Sequence, residues 1–156
     1  MFKKQIEIYS PVDGEIKKLE EVDDIVFSSG MVGLGLAVTP ESNEVYSIAD
    51  GEVKVAFPTG HAYGVKIKKG FELLVHIGIE TVTMEGKGFK ANVKQGDKLT
   101  AGETLLAEID LDLIKKEAKS TDIVIIATQE TLNNHKVVQQ ASGKVKKGDL
   151  IFTIEK

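Results

Sequence analysis

The chain has no cysteine and no tryptophan, and only three histidines and three prolines among 156 residues. Without cysteine there are no disulfides, no thiolate metal ligands and no thiol nucleophile. Long apolar runs are also missing. The most extended, "GMVGLGLAV", is far short of a membrane span and carries three glycines. The N-terminal "MFKKQIEIYS" has basic residues but no apolar stretch behind them, so no signal peptide is expected and the cytoplasm is the expected compartment. Positive charge is not concentrated either. The net charge is −4, and no basic cluster is interleaved with aromatics, which argues against nucleic acid as a partner. Neither a phosphate-binding G-x-x-x-x-G-K-[ST] loop nor a dinucleotide fingerprint occurs.

What is present suits one β-rich domain spanning residues 1–156. A chain of this length buries roughly two-thirds of its unfolded surface, and 42% of its residues are apolar. Alternating runs predict strands at "KQIEIYS", "EVKVAF", on both sides of the turn in "GVKIKKGFELLVHI", and at the closing "DLIFTIEK". "TDIVIIAT" (121–128) is apolar throughout and is expected to be a central strand. Asp110 is placed to cap a helix over "LDLIKKEAKS", with Leu111, Ile114 and Ala118 on one face. Ser-x-x-Asp-Gly-Glu-[Ile/Val]-Lys occurs at Ser10 and again at Ser47, and Val-Lys-x-Gly-Asp recurs in 93–97 and 145–149. The expected fold is an all-β antiparallel sandwich with a duplicated sandwich or barrel-like motif and one or two short helices.

Two of the three histidines lie in "GHAYGVKIKKGFELLVHIG" (60–78), each at the end of an alternating stretch. A hairpin that opposes His61 and His76 centres its turn between Lys68 and Lys69, and sets Tyr63 against Leu74 and Val65 against Glu72. Three chemistries accommodate such a pair. In the first, each histidine simply satisfies a strand end. Together they offer zinc two ligands, one or two fewer than a protein zinc site normally supplies, and His135 sits in a separate polar loop. As the third reading, a neutral imidazole is a nucleophile near neutral pH and can carry a phosphoryl group, while its neighbour donates a hydrogen bond to the phosphoryl oxygens.

Thr59-Gly-His61-Ala62, followed by Val75-His76-Ile77-Gly78-Ile79-Glu80-Thr81-Val82 and Gly86-Lys-Gly88-Phe89, resembles the glucose-family enzyme IIA domain of the bacterial phosphoenolpyruvate-dependent sugar phosphotransferase system. The likeness extends upstream through "SPVDGEI", "VDDIVFSSGMVGLGLAV" and "VYSIADGEV" and downstream through "VKQGDKLTAGETLLAEIDLDLIKKEAKST". The resemblance implies that His76 accepts the phosphoryl group through Nε2, that His61 stabilises it, and that the Thr59 hydroxyl orients His61. It implies the phosphocarrier HPr, charged by enzyme I, as donor and a cysteine on the IIB domain of a sugar permease as acceptor, with no cofactor. The apolar ring of the family's shallow site corresponds to Val26, Phe27 and Val32, and its rim acids to Asp24 and Glu80. Three departures touch the surroundings and not the histidines: Glu80 where the family usually has aspartate, Gly33-Leu34-Gly35 where Gly-Asp-Gly is common, and Thr121-Asp-Ile-Val where many members read Thr-Pro-Val-Val.

Three other functions are weighed against the carrier. A regulatory binding protein would use the same face and be switched when phosphorylation adds roughly two negative charges. A zinc hydrolase of lysostaphin-like pattern would need an H-x-x-x-D stretch and an H-x-H that this chain lacks; any zinc on His61 and His76 would be adventitious. A swinging-arm carrier would need a lysine in a recognised hairpin context, which Lys87 in "GKG" does not have. Met1 and the completed last strand point to a free-standing protein.

Overall fold

The computed structural model describes residues 5–156. In chain order the elements are β1 (Ile6–Tyr9), β2 (Gly14–Lys18), α1 (Ile25–Ser28), β3 (Gly33–Pro40), β4 (Glu44–Tyr46), β5 (Gly51–Ala56), β6 (Ala62–Ile67), β7 (Glu72–Ile79) and β8 (Phe89–Ala91). They continue with β9 (Lys98–Leu99), β10 (Leu105–Ile109), α2 (Leu111–Glu117), β11 (Ser120–Thr128), α3 (Gln129–Leu132), β12 (Lys136–Gln139), β13 (Lys144–Val145) and β14 (Leu150–Glu155). Every strand pairing is antiparallel.

An eight-stranded sheet in the order β13-β2-β3-β11-β7-β6-β5-β9 forms one layer. Two three-stranded sheets, β1-β14-β12 and β4-β10-β8, supply the other. The large sheet stays open and does not close into a barrel. The main core lies between the layers, where Val75, Ile77, Ile123 and Ile125 of the large sheet join Ile8, Leu106 and Phe152 of the small ones. Because side chains alternate along a strand, the neighbours of these residues face the other way. Leu74, Val124 and Ile126 form a second, smaller cluster with Leu19, Val22 and Phe27, which the segment between β2 and β3 folds across that outer face. His76 shares the parity of Leu74 and stands on this outer face, paired with Val124 of β11.

The long apolar run is the central strand it was expected to be: β11 lies between β3 and β7, with residues 121–127 buried. A helix after Asp110 also forms, the Asp110 carboxylate accepting from the Leu113 amide at 3.1 Å, with Leu111 and Ile114 buried, but it ends at Glu117: Ala118 is already extended and Ser120 opens β11. Three α-helices occur in the described residues, two of them single turns.

The hairpin differs from the expected register by one residue. Ala62, not His61, lies opposite His76, and Tyr63 and Val65 lie opposite Val75 and Leu73. The cause is the turn. Lys68–Gly70 is a three-residue loop with Lys69 and Gly70 both at positive φ, closed by the Ile67 amide on the Phe71 carbonyl. An odd loop centres the hairpin on Lys69, and nothing about lysine announces a left-handed conformation.

The sequence repeat is a structural one. The hydroxyl of Ser10 donates to the Val12 carbonyl at 2.7 Å, and that of Ser47 to the Ala49 carbonyl at 2.8 Å. Asp13 accepts from the Lys147 amide as Asp50 accepts from the Ala101 amide, both at 2.9 Å. Gly14 then pairs with Val145 as Gly51 pairs with Leu99. The partner of "KVKKGD" is therefore "KLTAGE". "VKQGD", which shares more letters, forms the same type of turn at a different place.

Candidate functional site

His76 lies two residues before Gly78, which has φ +77 and is the last residue but one of β7. A Cβ at Gly78 would collide with the Thr81 methyl and stand 3.0 Å from the Ser120 carbonyl, so only glycine fits there without strain. The turn it makes aims its own carbonyl back at the imidazole, 2.8 Å from His76 Nδ1. A carbonyl only accepts, so Nδ1 carries the proton and Nε2 carries the lone pair.

His61 has left the pleat before β6 begins, which is why the shifted register does not separate the rings. Gly60, at φ +75, turns the chain, and the buried Tyr63 hydroxyl pins the Gly60 carbonyl at 3.0 Å. Burial pushes that phenol up to about 12, so it remains a donor. The His61 carbonyl accepts from the Ile77 amide at 2.7 Å, tying the bend to β7 beside His76. The His61 ring is only 3% exposed, and its Nδ1 is hydrogen-bonded to the Thr59 hydroxyl.

The two imidazoles meet edge to face, centroids 5.1 Å apart at 81°. Both lie below the usual imidazole range. For His61 the main cause is burial, with the charge of His76 adding to it. For His76 burial again dominates, opposed by the Gly78 carbonyl and by the carboxylate of Asp24. Both rings are therefore neutral at pH 7. Neither Nε2 bonds to a described residue, yet no buried side-chain nitrogen or oxygen in those residues lacks a partner, so these atoms reach solvent. Each ring is held by one nitrogen and presents the other.

The remaining residues expected at the site fall into three groups. Asp24 caps α1, accepting from the Val26 amide at 2.9 Å, and its charge reaches His76. Val26 is exposed, whereas Phe27 is only 7% exposed, with its ring 5.1 Å from that of His76. A single helical turn sends Val26 outward and Phe27 inward, and Val32 is likewise half-buried in the cluster around Phe27. Glu80 is exposed at φ +61, and its carbonyl accepts from Thr83; its carboxylate has no hydrogen bond or ion pair with a described residue. Leu34, on the strand segment that lacks the family's usual charge, is exposed, as are Ile25, Met31 and Val82. Three contributors were not singled out from the sequence. Phe57 and Phe89 stand edge-on to His61 at 5.6 and 6.4 Å, and Tyr63 buttresses the bend. Phe89 lies within a quoted motif and Phe57 ends the run "EVKVAF"; Tyr63 looks like any strand residue.

His135 packs its ring against Phe71 and bonds the Leu132 carbonyl at 2.8 Å, apart from the pair. Among the described residues no group of three histidine, aspartate or glutamate side chains is arranged to hold a metal ion. No described helix is long and apolar enough to cross a membrane.

Comparison with known proteins gives consistent results. Residues 6–133 match the family model described as phosphoenolpyruvate-dependent sugar phosphotransferase system, EIIA 1. The chain is 38% identical over 154 residues to the PTS system glucose-specific EIIA component of Mycoplasma capricolum, covering 99% of this chain and 98% of that protein. It is 44% identical over 148 residues to the PTS system glucose-specific EIICBA component of Staphylococcus carnosus, covering 95% of this chain but only 22% of that longer protein. The solved structure titled glucose permease IIA from Mycoplasma capricolum superposes with a TM-score of 0.90 at 37% identity, over 98% of this chain and 97% of that one.

Proposed function

The chain belongs to the phosphoenolpyruvate-dependent sugar phosphotransferase system EIIA 1 family, and from that premise we propose that it is a cytoplasmic phosphocarrier serving a glucose-type sugar permease. The donor is phospho-HPr and the acceptor a cysteine of a IIB domain. The observation that carries this reading is the pair of neutral imidazoles in edge contact, each with Nδ1 engaged and Nε2 open to solvent.

In the first step the lone pair on His76 Nε2 forms the new N–P bond. The P–N bond to the donor imidazole breaks, and its electron pair returns to the donor. The proton of His76 stays on Nδ1, hydrogen-bonded to the Gly78 carbonyl, so the phosphorylated ring is positively charged. The Gly78 carbonyl and Asp24 already favour positive charge on that ring, and stabilisation of charge formed during transfer is where catalysis gains most. His61, its Nδ1 accepting from Thr59, donates Nε2–H to a phosphoryl oxygen. In the second step a IIB thiolate attacks phosphorus, and the N–P pair returns to His76. Ile25, Val26 and Met31 form a surface that a partner covers, excluding water from a hydrolysable group.

The test is incubation with phosphoenolpyruvate, enzyme I and HPr. One alkali-stable, acid-labile phosphate is expected on the wild type and none on His76→Gln. His61→Gln takes up the label but does not pass it to IIB. The opposite behaviour of the two variants would exchange their roles.

A further inference from the structure

Resting on the assignment of His76 as phosphoryl acceptor, we infer that Phe27 is a positioning residue for its imidazole and not a docking residue for the partner. The His76 ring is bounded on three sides: Phe27 at 5.1 Å and 57°, the edge-on ring of His61, and the Gly78 carbonyl on Nδ1. Its Nε2 has no hydrogen-bond partner among the described residues. Phe27 sits almost wholly in the outer-face cluster with Val22, Val124 and Ile126, so a partner would touch it little. Its neighbours in the same turn, Ile25 and Val26, take the exposed positions, Ile25 at 78%. The turn thus divides its work, two side chains toward a partner and one beneath the reacting ring.

Removing the phenyl ring frees the imidazole to rotate off the line of attack and admits water to its face. The charged and titratable groups facing His76 are Asp24 from α1 and His61 from the bend before β6. Its strand neighbours Ala62 and Val124 carry no charge. Admitted water stabilises the imidazolium, so the titration midpoint of His76 moves up.

Phe27→Leu keeps an apolar side chain in the cluster, while Phe27→Ala opens it. Two measurements separate the possibilities: NMR titration of the unphosphorylated chain, and steady-state transfer from phospho-HPr. For Phe27→Ala the midpoint is expected to rise toward 6.5, kcat to fall at least roughly tenfold, as misplaced reacting groups do, and KM to change by less than about threefold. Phe27→Leu falls between that variant and the wild type, and it decides the matter if the alanine variant does not fold. A raised KM with unchanged kcat and midpoint would make Phe27 a docking residue and overturn the inference. Should the wild type itself take no phosphate, the functional reading fails, while the titration still reports whether the phenyl ring governs the imidazole.

Discussion

Replacing Gly78 by alanine tests how tightly the turn that follows His76 is built. Alanine at φ +77 costs about 1–2 kcal/mol for the left-handed conformation alone. The new methyl also strikes the Thr81 methyl and crowds the Ser120 carbonyl, an overpacking term of about 1–3 kcal/mol. Thr81 cannot simply rotate away, because its buried hydroxyl donates to the Ile77 carbonyl at 2.7 Å, a bond worth roughly 1 kcal/mol. The expected loss is about 2–5 kcal/mol, a large share of a small protein's stability. Thr81→Ser deletes the offending methyl and keeps the hydroxyl. The double variant should therefore be more stable than the two single losses add up to, by about 1–2 kcal/mol, the range found for residues in contact. Urea unfolding followed by far-ultraviolet circular dichroism measures this in a chain without tryptophan. Additive losses, or a Gly78→Ala variant as stable as the wild type, would refute the reasoning.

Three further outcomes are expected. Thr59→Val removes the hydroxyl from His61 Nδ1; labelling of His76 should persist while transfer to IIB slows at least ~10-fold, and Thr59→Ser should restore it. Both histidines titrate below 6.5 when folded and near 6.5 when unfolded, so below that value the unfolded chain binds more protons and stability decreases as pH is lowered; unfolding from pH 7 to about 5 should show this slope, and the double variant His61→Gln/His76→Gln should lose it. Asp122 is 2% exposed and accepts from Lys17 and Thr39 at 2.8 and 2.7 Å, so Lys17→Met, which leaves the carboxylate buried, should cost about 2–3 kcal/mol and more than Asp122→Asn in the same unfolding assay.

Much of the fold was legible because its signals are local. The run 121–128 is too apolar for a surface strand, Asp110 is a capping residue in front of a helical spacing, and Asp-Gly marks the repeated turns. The proximity of the two histidines was legible for the same reason, since one hairpin joins them. The register was not, because it depends on Lys69 adopting a conformation that glycine or asparagine would ordinarily take. The division of labour between Val26 and Phe27 was invisible too. A four-residue helical turn is too short to show a period, and only the packing of residues 19–28 over the outer face tells inward from outward. The repeat was readable as letters, but the closer match "VKQGD" hid "KLTAGE", whose equivalence to "KVKKGD" lies in backbone partners.

The most direct test of the account is which nitrogen bears phosphorus. With the imidazoles labelled with nitrogen-15 and the protein phosphorylated through HPr, phosphorus–nitrogen coupling should appear at His76 Nε2, and Nδ1 of that ring should keep its proton. Coupling to His76 Nδ1, or to any nitrogen of His61 or His135, would contradict it.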